Sequence, residues 1–135
     1  VLRLQLAAQT VLPCAMQALE KLPSREIVTS LPQALGMPGQ SRWRGVSLRH
    51  LVELLGGNEP QQIELTALND YAVRIPWSDL VQYDPILAYR RNNQPISIRD
   101  KGPLILIYPF DQNPRLHRQD YINRTIWQVH VISVR

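Results

Sequence analysis

One thiol and three imidazoles are the side chains in this sequence best suited to nucleophilic or acid–base chemistry: Cys14, His50, His117 and His130. A cysteine nucleophile needs an imidazole held against it to become a thiolate. No histidine neighbours Cys14 in the sequence, and the three histidines are far apart, so neither a Cys–His pair nor metal-ligand spacing is present. A single cysteine also excludes an intramolecular disulfide and any zinc site that needs two thiolates. Cys14 therefore reads as a small, buried, inert side chain. The chain has no glycine-rich nucleotide loop, no nucleophile elbow and no His-Glu-x-x-His zinc motif. Asn123-Arg124-Thr125 fits the glycosylation sequon, a three-residue match of little weight.

Charge narrows the partners. Fifteen Lys and Arg against eleven Asp and Glu leave +4, with Arg3, Arg25, Arg42, Arg74, Arg90, Arg99 and Arg118 among the basic residues spread along the chain without a run of like charge. That pattern argues against nucleic acid as a partner and leaves room for a pocket that takes a small anion. The 135 residues, 44% of them apolar, suit one domain spanning 1–135 with a real core. The longest uninterrupted apolar stretch, Leu104 to Tyr108, is far short of the ~20 residues that span a bilayer. No signal-peptide pattern is present, and the chain starts at Val1, as a trimmed precursor or an expression fragment would.

Eleven prolines and six glycines cut the chain into short elements. Val1 to Leu6 alternates as a strand does. Pro13 is placed to open a short helix with Ala15, Met16, Leu19 and Leu22 on its apolar face and Pro23 as its stop. Glu26 to Ser30 reads as a brief strand, and Leu31 to Arg44 as an irregular loop. Ser47 is a suitable N-cap for a helix carrying Leu48, Leu51, Val52 and Leu55, closed by Gly56-Gly57. Ile63 to Ala67 and Tyr71 to Ile75 alternate around Asn69-Asp70, a hairpin. A second hairpin runs from Ile86 through Asn92-Asn93 to Ile98. Leu104 to Tyr108 is apolar on both faces, as a central buried strand is. Gln112 to Arg124 reads as a polar loop, and Thr125 to Val134 as a closing strand with Trp127, Val129 and Val131 on its core face. Two short helices against about seven strands make the fold class α+β.

The order of these pieces carries a resemblance. Arg44-Gly45-Val46-Ser47-Leu48 leads into Leu51-Val52-Glu53-Leu54-Leu55-Gly56. Next come Ala67-Leu68-Asn69-Asp70-Tyr71, Ile75-Pro76, Ile86-Leu87-Ala88-Tyr89, Asn93-Gln94-Pro95-Ile96, Asp100-Lys101-Gly102-Pro103-Leu104, Tyr108-Pro109 and Trp127-Gln128-Val129. From about Leu19 to Val134 this succession resembles the molybdopterin-binding domain of the sulfite oxidase superfamily in its short bacterial form. The resemblance implies the sulfite-oxidase-type fold, with mostly antiparallel and mixed strands in hairpins. By likeness to secreted relatives it also implies a periplasmic location.

In catalytic members of that superfamily a cysteine thiolate before the Gly-Val-x-Leu helix binds molybdenum, as suits a soft, anionic donor. The stretch that resembles it here, Glu26-Ile27-Val28-Thr29-Ser30, has no cysteine, and Cys14 lies well upstream. Ile105 and Lys101 stand where catalytic members have an arginine and a histidine. The resemblance places any pocket near Thr29 and Ser30, Gln40-Ser41-Arg42-Trp43, Asn69-Asp70-Tyr71 and Asp100-Lys101. Arg42 and Lys101 would face the phosphate of a pterin, and Trp43 or Tyr71 would stack on its ring. Each has a plainer structural reading: surface charge for Arg42 and Lys101, turn formation for Asn69, Asp70 and Asp100, core cover for Trp43 and Trp127. The Arg115, His117, Arg118 and Arg124 group reads as a solvent-facing loop cluster. The expected function is therefore a degenerate domain that binds a small anion or a molybdopterin-type ligand without the standard metal ligand. The alternatives are an active molybdenum oxidoreductase with non-standard ligation and a protein-interaction module on a reused scaffold.

Overall fold

A computed structural model describes residues 2–5, 11–37, 39–55 and 62–135. Two five-stranded sheets enclose the main core. The first runs in the order β2 (Val11–Cys14), β1 (Leu2–Gln5), β10 (Val129–Val134), β5 (Ile63–Ala67), β6 (Ala72–Arg74). Only β1 and β10 within it are parallel. The second orders β3 (Arg25–Thr29), β4 (Ser41–Ser47), β7 (Ile86–Arg91) and β8 (Gln94–Pro95), with β9 (Ile105–Ile107) also on β7.

Period-2 alternation sorts the side chains of the second sheet between two clusters. Leu87 and Tyr89 of β7 enter the main core with Leu2, Leu65 and Ile132 of the first sheet, while Ile86 and Ala88 face a second cluster containing Ile27, Met37 and Trp43. The strand β9 does the same: Leu104, Leu106 and Tyr108 at and around it enter the main core, and Ile105 and Ile107 the other. This is why Leu104 to Tyr108 is apolar on both faces, although β9 has one strand neighbour, β7, and a single bridge to Trp127.

Four α-helices occur among the described residues: α1 (Met16–Lys21), α2 (Leu48–Leu54), α3 (Trp77–Tyr83) and α4 (Gln119–Arg124). Ser47 caps α2, its Oγ accepting from the His50 N–H at 3.2 Å, as its residue type predicts. Gly56-Gly57 lie outside the described residues. Several sequence expectations need correction. Pro13 and Cys14 belong to β2, not to a helix. That strand is a sheet edge, where the missing N–H of proline breaks no ladder. The stretch from Leu31 to Arg44 is no continuous loop, since a 3₁₀ turn covers Gln33–Leu35 and β4 begins at Ser41. Gln112 to Arg124 is no plain loop, since it follows a 3₁₀ turn at Phe110–Gln112 and holds a second at Pro114–Leu116 and then α4; Ile98 lies in a 3₁₀ turn beyond the second hairpin. Two turns of helix are too short to display a period in sequence, which is why the sequence does not announce α3 and α4.

Both expected hairpin turns form. Asp70 sits at φ +69, and Asn92 and Asn93 at +51 and +67, a left-handed pair that matches strand twist. Among the described residues, no helix is long and apolar enough to cross a membrane.

Candidate functional site

The hairpin β5–β6 and helix α4 face each other across a cleft of about 350 Å³. Asn69 enters from the turn, where its Oδ1 accepts from the Tyr71 N–H at 3.1 Å and shapes the loop. Tyr71 spans the gap: its hydroxyl donates to the Asn123 carbonyl at 3.0 Å and ties the hairpin to the helix. On α4, Gln119 Nε2 donates to Asn123 Oδ1 at 2.7 Å across one turn. Leu35, Ile122 and Ile126 supply apolar wall.

Trp127 completes the lining and corrects an expectation. Its placement on the core face assumes unbroken alternation, but Gln128 takes a left-handed φ of +55 and interrupts it. The Gln128 backbone N–H donates to the Lys101 carbonyl and its side-chain amide to the Ile98 carbonyl, both at 2.9 Å. A bulge between Val129 and Val131 then shifts the register, so the buried residues of β10 include Val129, Ile132 and Val134. Trp127 is left 37% exposed, with Lys101 Nζ 4.9 Å from its ring centroid, in cation–π contact. Tyr71 is 47% exposed in the same cleft.

The remaining sequence candidates lie elsewhere. Thr29 and Ser30, at the end of β3, are locked to Asp111. The Thr29 hydroxyl donates to the Ser30 carbonyl and accepts from the Asp111 N–H, both at 2.9 Å. Ser30 donates to Asp111 through N–H at 2.8 Å and through its hydroxyl at 2.5 Å, and Gln40 adds its amide at 3.2 Å. The Ser30 hydroxyl chiefly holds the Asp111 carboxyl below the ordinary aspartate value, against an opposing effect of burial. Arg42 is exposed on β4 beside Glu26 at 3.7 Å. Trp43 is buried in the second cluster under Arg91, and its indole N–H has no partner among the described residues. Asp70 serves the hairpin turn, and Asp100 accepts from the Ser97 hydroxyl at 3.1 Å. The structure thus brings together Asn69 and Tyr71, with Lys101 reaching Trp127, and separately Thr29 with Ser30.

Three participants carry no sequence signal that pattern reading could use. Gln119 and Asn123 sit in a stretch whose polarity reads as loop, and Asp111 follows a strand with nothing to mark it. Arg124 is no solvent-facing charge: it donates to the buried Asp79 carboxylate at 3.0 Å, which also accepts from Tyr108 at 2.8 Å. Cys14 is half-buried on β2, and burial raises its thiol pKa. Among the described residues, no three His, Cys, Asp or Glu converge as a metal site.

Comparison with known proteins bears on this geometry. The sequence matches the family model of the oxidoreductase molybdopterin-binding domain over residues 3–111. The crystal structure of the sulfane dehydrogenase SoxCD from Paracoccus pantotrophus shares the fold, with a TM-score of 0.69 at 14% identity over 98% of this chain. The match spans 37% of that longer chain. No curated protein matches the sequence.

Proposed function

Since the chain belongs to the oxidoreductase molybdopterin-binding domain family, we propose that it binds the pterin part of such a cofactor in the Tyr71–Trp127 cleft and lacks the standard ligand for its metal. The observation that carries this reading is the lining: two half-exposed aromatic rings with three carboxamides, Asn69, Gln119 and Asn123. A flat heterocycle stacks on indole and phenol faces, and carboxamides match a ring edge that both donates and accepts hydrogen bonds. The cavity of about 350 Å³ lies at the small end of ligand sites. Lys101, over Trp127, offers a cation to an anionic substituent.

The donor set does not fit the metal half of the group. Where the resemblance expects a thiolate, Thr29 and Ser30 offer neutral hydroxyls already engaged with Asp111 and the local backbone. Cys14 belongs to the other sheet. A hydroxyl is a hard donor and a poor substitute for the soft thiolate. The work left to the chain's own residues is to bind and orient a ring.

Calorimetric titration with 6-hydroxymethylpterin tests this reading. Wild type should bind saturably, and Trp127→Ala should weaken binding by about 10- to 100-fold, the usual cost of one lost stacking face. Equal binding by wild type, Trp127→Ala and Tyr71→Ala would overturn it.

A further inference from the structure

A second cleft, of about 270 Å³ and lined by Glu20, Arg44, Tyr89, Arg90 and Asn93, has no part in the pterin reading. Its chemistry is built by a bulge. Arg44 of β4 pairs with Arg90 of β7, and Gly45 with Ala88, leaving Tyr89 as the extra residue. Such a bulge re-aims the side chains beside it. Two arginines are thus placed directly opposite on neighbouring strands, an arrangement that costs stability when nothing neutralises it.

Little among the described residues does so. Glu26, in register with Arg44, pairs with Arg42 instead, at 3.7 Å. The Arg44 side chain makes no hydrogen bond or ion pair among the described residues. Arg90 reaches the Asn93 carbonyl at 3.3 Å and has a carboxylate, Glu20, only at 3.9 Å. Tyr89 is 3% exposed, and its hydroxyl has no hydrogen-bond partner among the described residues.

We propose that this cleft binds a phosphate group between Arg44 and Arg90, with Tyr89 and Asn93 as neutral partners. Guanidinium forks suit tetrahedral oxyanions because they offer parallel, charge-assisted donors. Glu20 then acts as a loosely held internal competitor that the ligand displaces.

The test is calorimetry and thermal unfolding at constant ionic strength, with inorganic phosphate and glycerol phosphate as probes. Wild type should bind saturably. Arg44→Gln and Arg90→Gln should each weaken binding about tenfold, one charge-assisted contact each, and Glu20→Gln should strengthen it. In phosphate-free buffer Arg44→Gln should melt no lower than wild type, because it relieves a like-charge pair; this separates lost binding from lost folding. Tighter binding of glycerol phosphate would identify an ester as the ligand, and equal or weaker binding would identify the free ion. Absence of saturable binding in wild type, or unchanged affinity in both arginine variants, would overturn the proposal.

Discussion

Alanine at position 45 should leave the chain without a stable fold. A Cβ built on Gly45 runs into the β7 backbone, striking the Leu87 carbonyl oxygen and lying 2.6 Å from Ala88 Cα. These are backbone atoms in the middle of the second sheet and cannot rotate aside. Relief would need β4 and β7 to separate, and their pairing carries both hydrophobic clusters. The expected loss is more than about 4 kcal/mol, in the range reserved for severe backbone or core conflicts. Gly36→Ala is the matched control. Gly36 sits at φ +70 with open space around it, so only backbone strain of about 1 kcal/mol is expected. Urea unfolding of the two variants checks the contrast. A Gly45→Ala protein within about 1 kcal/mol of wild type would show that the close approach of β4 and β7 is not needed.

The second large effect is expected at Asp79. Asp79 is 4% exposed, and its carboxylate joins three elements, accepting from Tyr108 beyond β9 and from Arg124 on α4. Burial first, and then the Asp79 charge, push the Tyr108 phenol well above its ordinary value, so it stays protonated and donating. Asp79→Ala removes the acceptor from a buried hydroxyl and the counter-charge from Arg124, whose side chain is 23% exposed. Deleting one partner of a buried pair costs about 3 kcal/mol even where the survivor can turn partly to water. A loss of that size lowers Tm by about 10 °C in a domain of this length. Because α4 supplies Gln119, Ile122 and Asn123 to the cleft, affinity for 6-hydroxymethylpterin should fall with it. Asp79→Asn, which keeps an oxygen acceptor but not the charge, should fall between. A drop in Tm of less than about 3 °C in Asp79→Ala would mean that the network adds little.

What the sequence reveals, and what it hides, follows from how each feature is encoded. Alternation and turn chemistry are local, so both hairpins, the capped helix α2 and the doubly buried β9 are legible. Pro13 misleads because its meaning depends on whether a strand is an edge, which only the assembled sheet decides. The short helices α3 and α4 owe their existence to tertiary contacts, such as Asp79 with Arg124 and Tyr121 edge-on to Tyr83. Of the residues that the family resemblance names, Asn69 and Tyr71 line the cleft and Lys101 lies over Trp127. Trp127 reads as core because a single left-handed residue, Gln128, breaks the alternation on which that reading depends. The bulge at Tyr89 is equally silent in sequence, since it is a mismatch between two strands and a property of neither alone.

The proposed function is that this domain binds the pterin part of the family's cofactor without its metal ligation. Its most direct test is purification of the protein from a host that makes molybdenum cofactor. Molybdenum would be measured by mass spectrometry and released pterin by fluorescence after oxidation, in the same sample. Pterin should be found near one equivalent with molybdenum at background, and both should be at background for Trp127→Ala. Molybdenum near one equivalent together with the pterin would contradict it, and so would the absence of pterin from the wild-type protein.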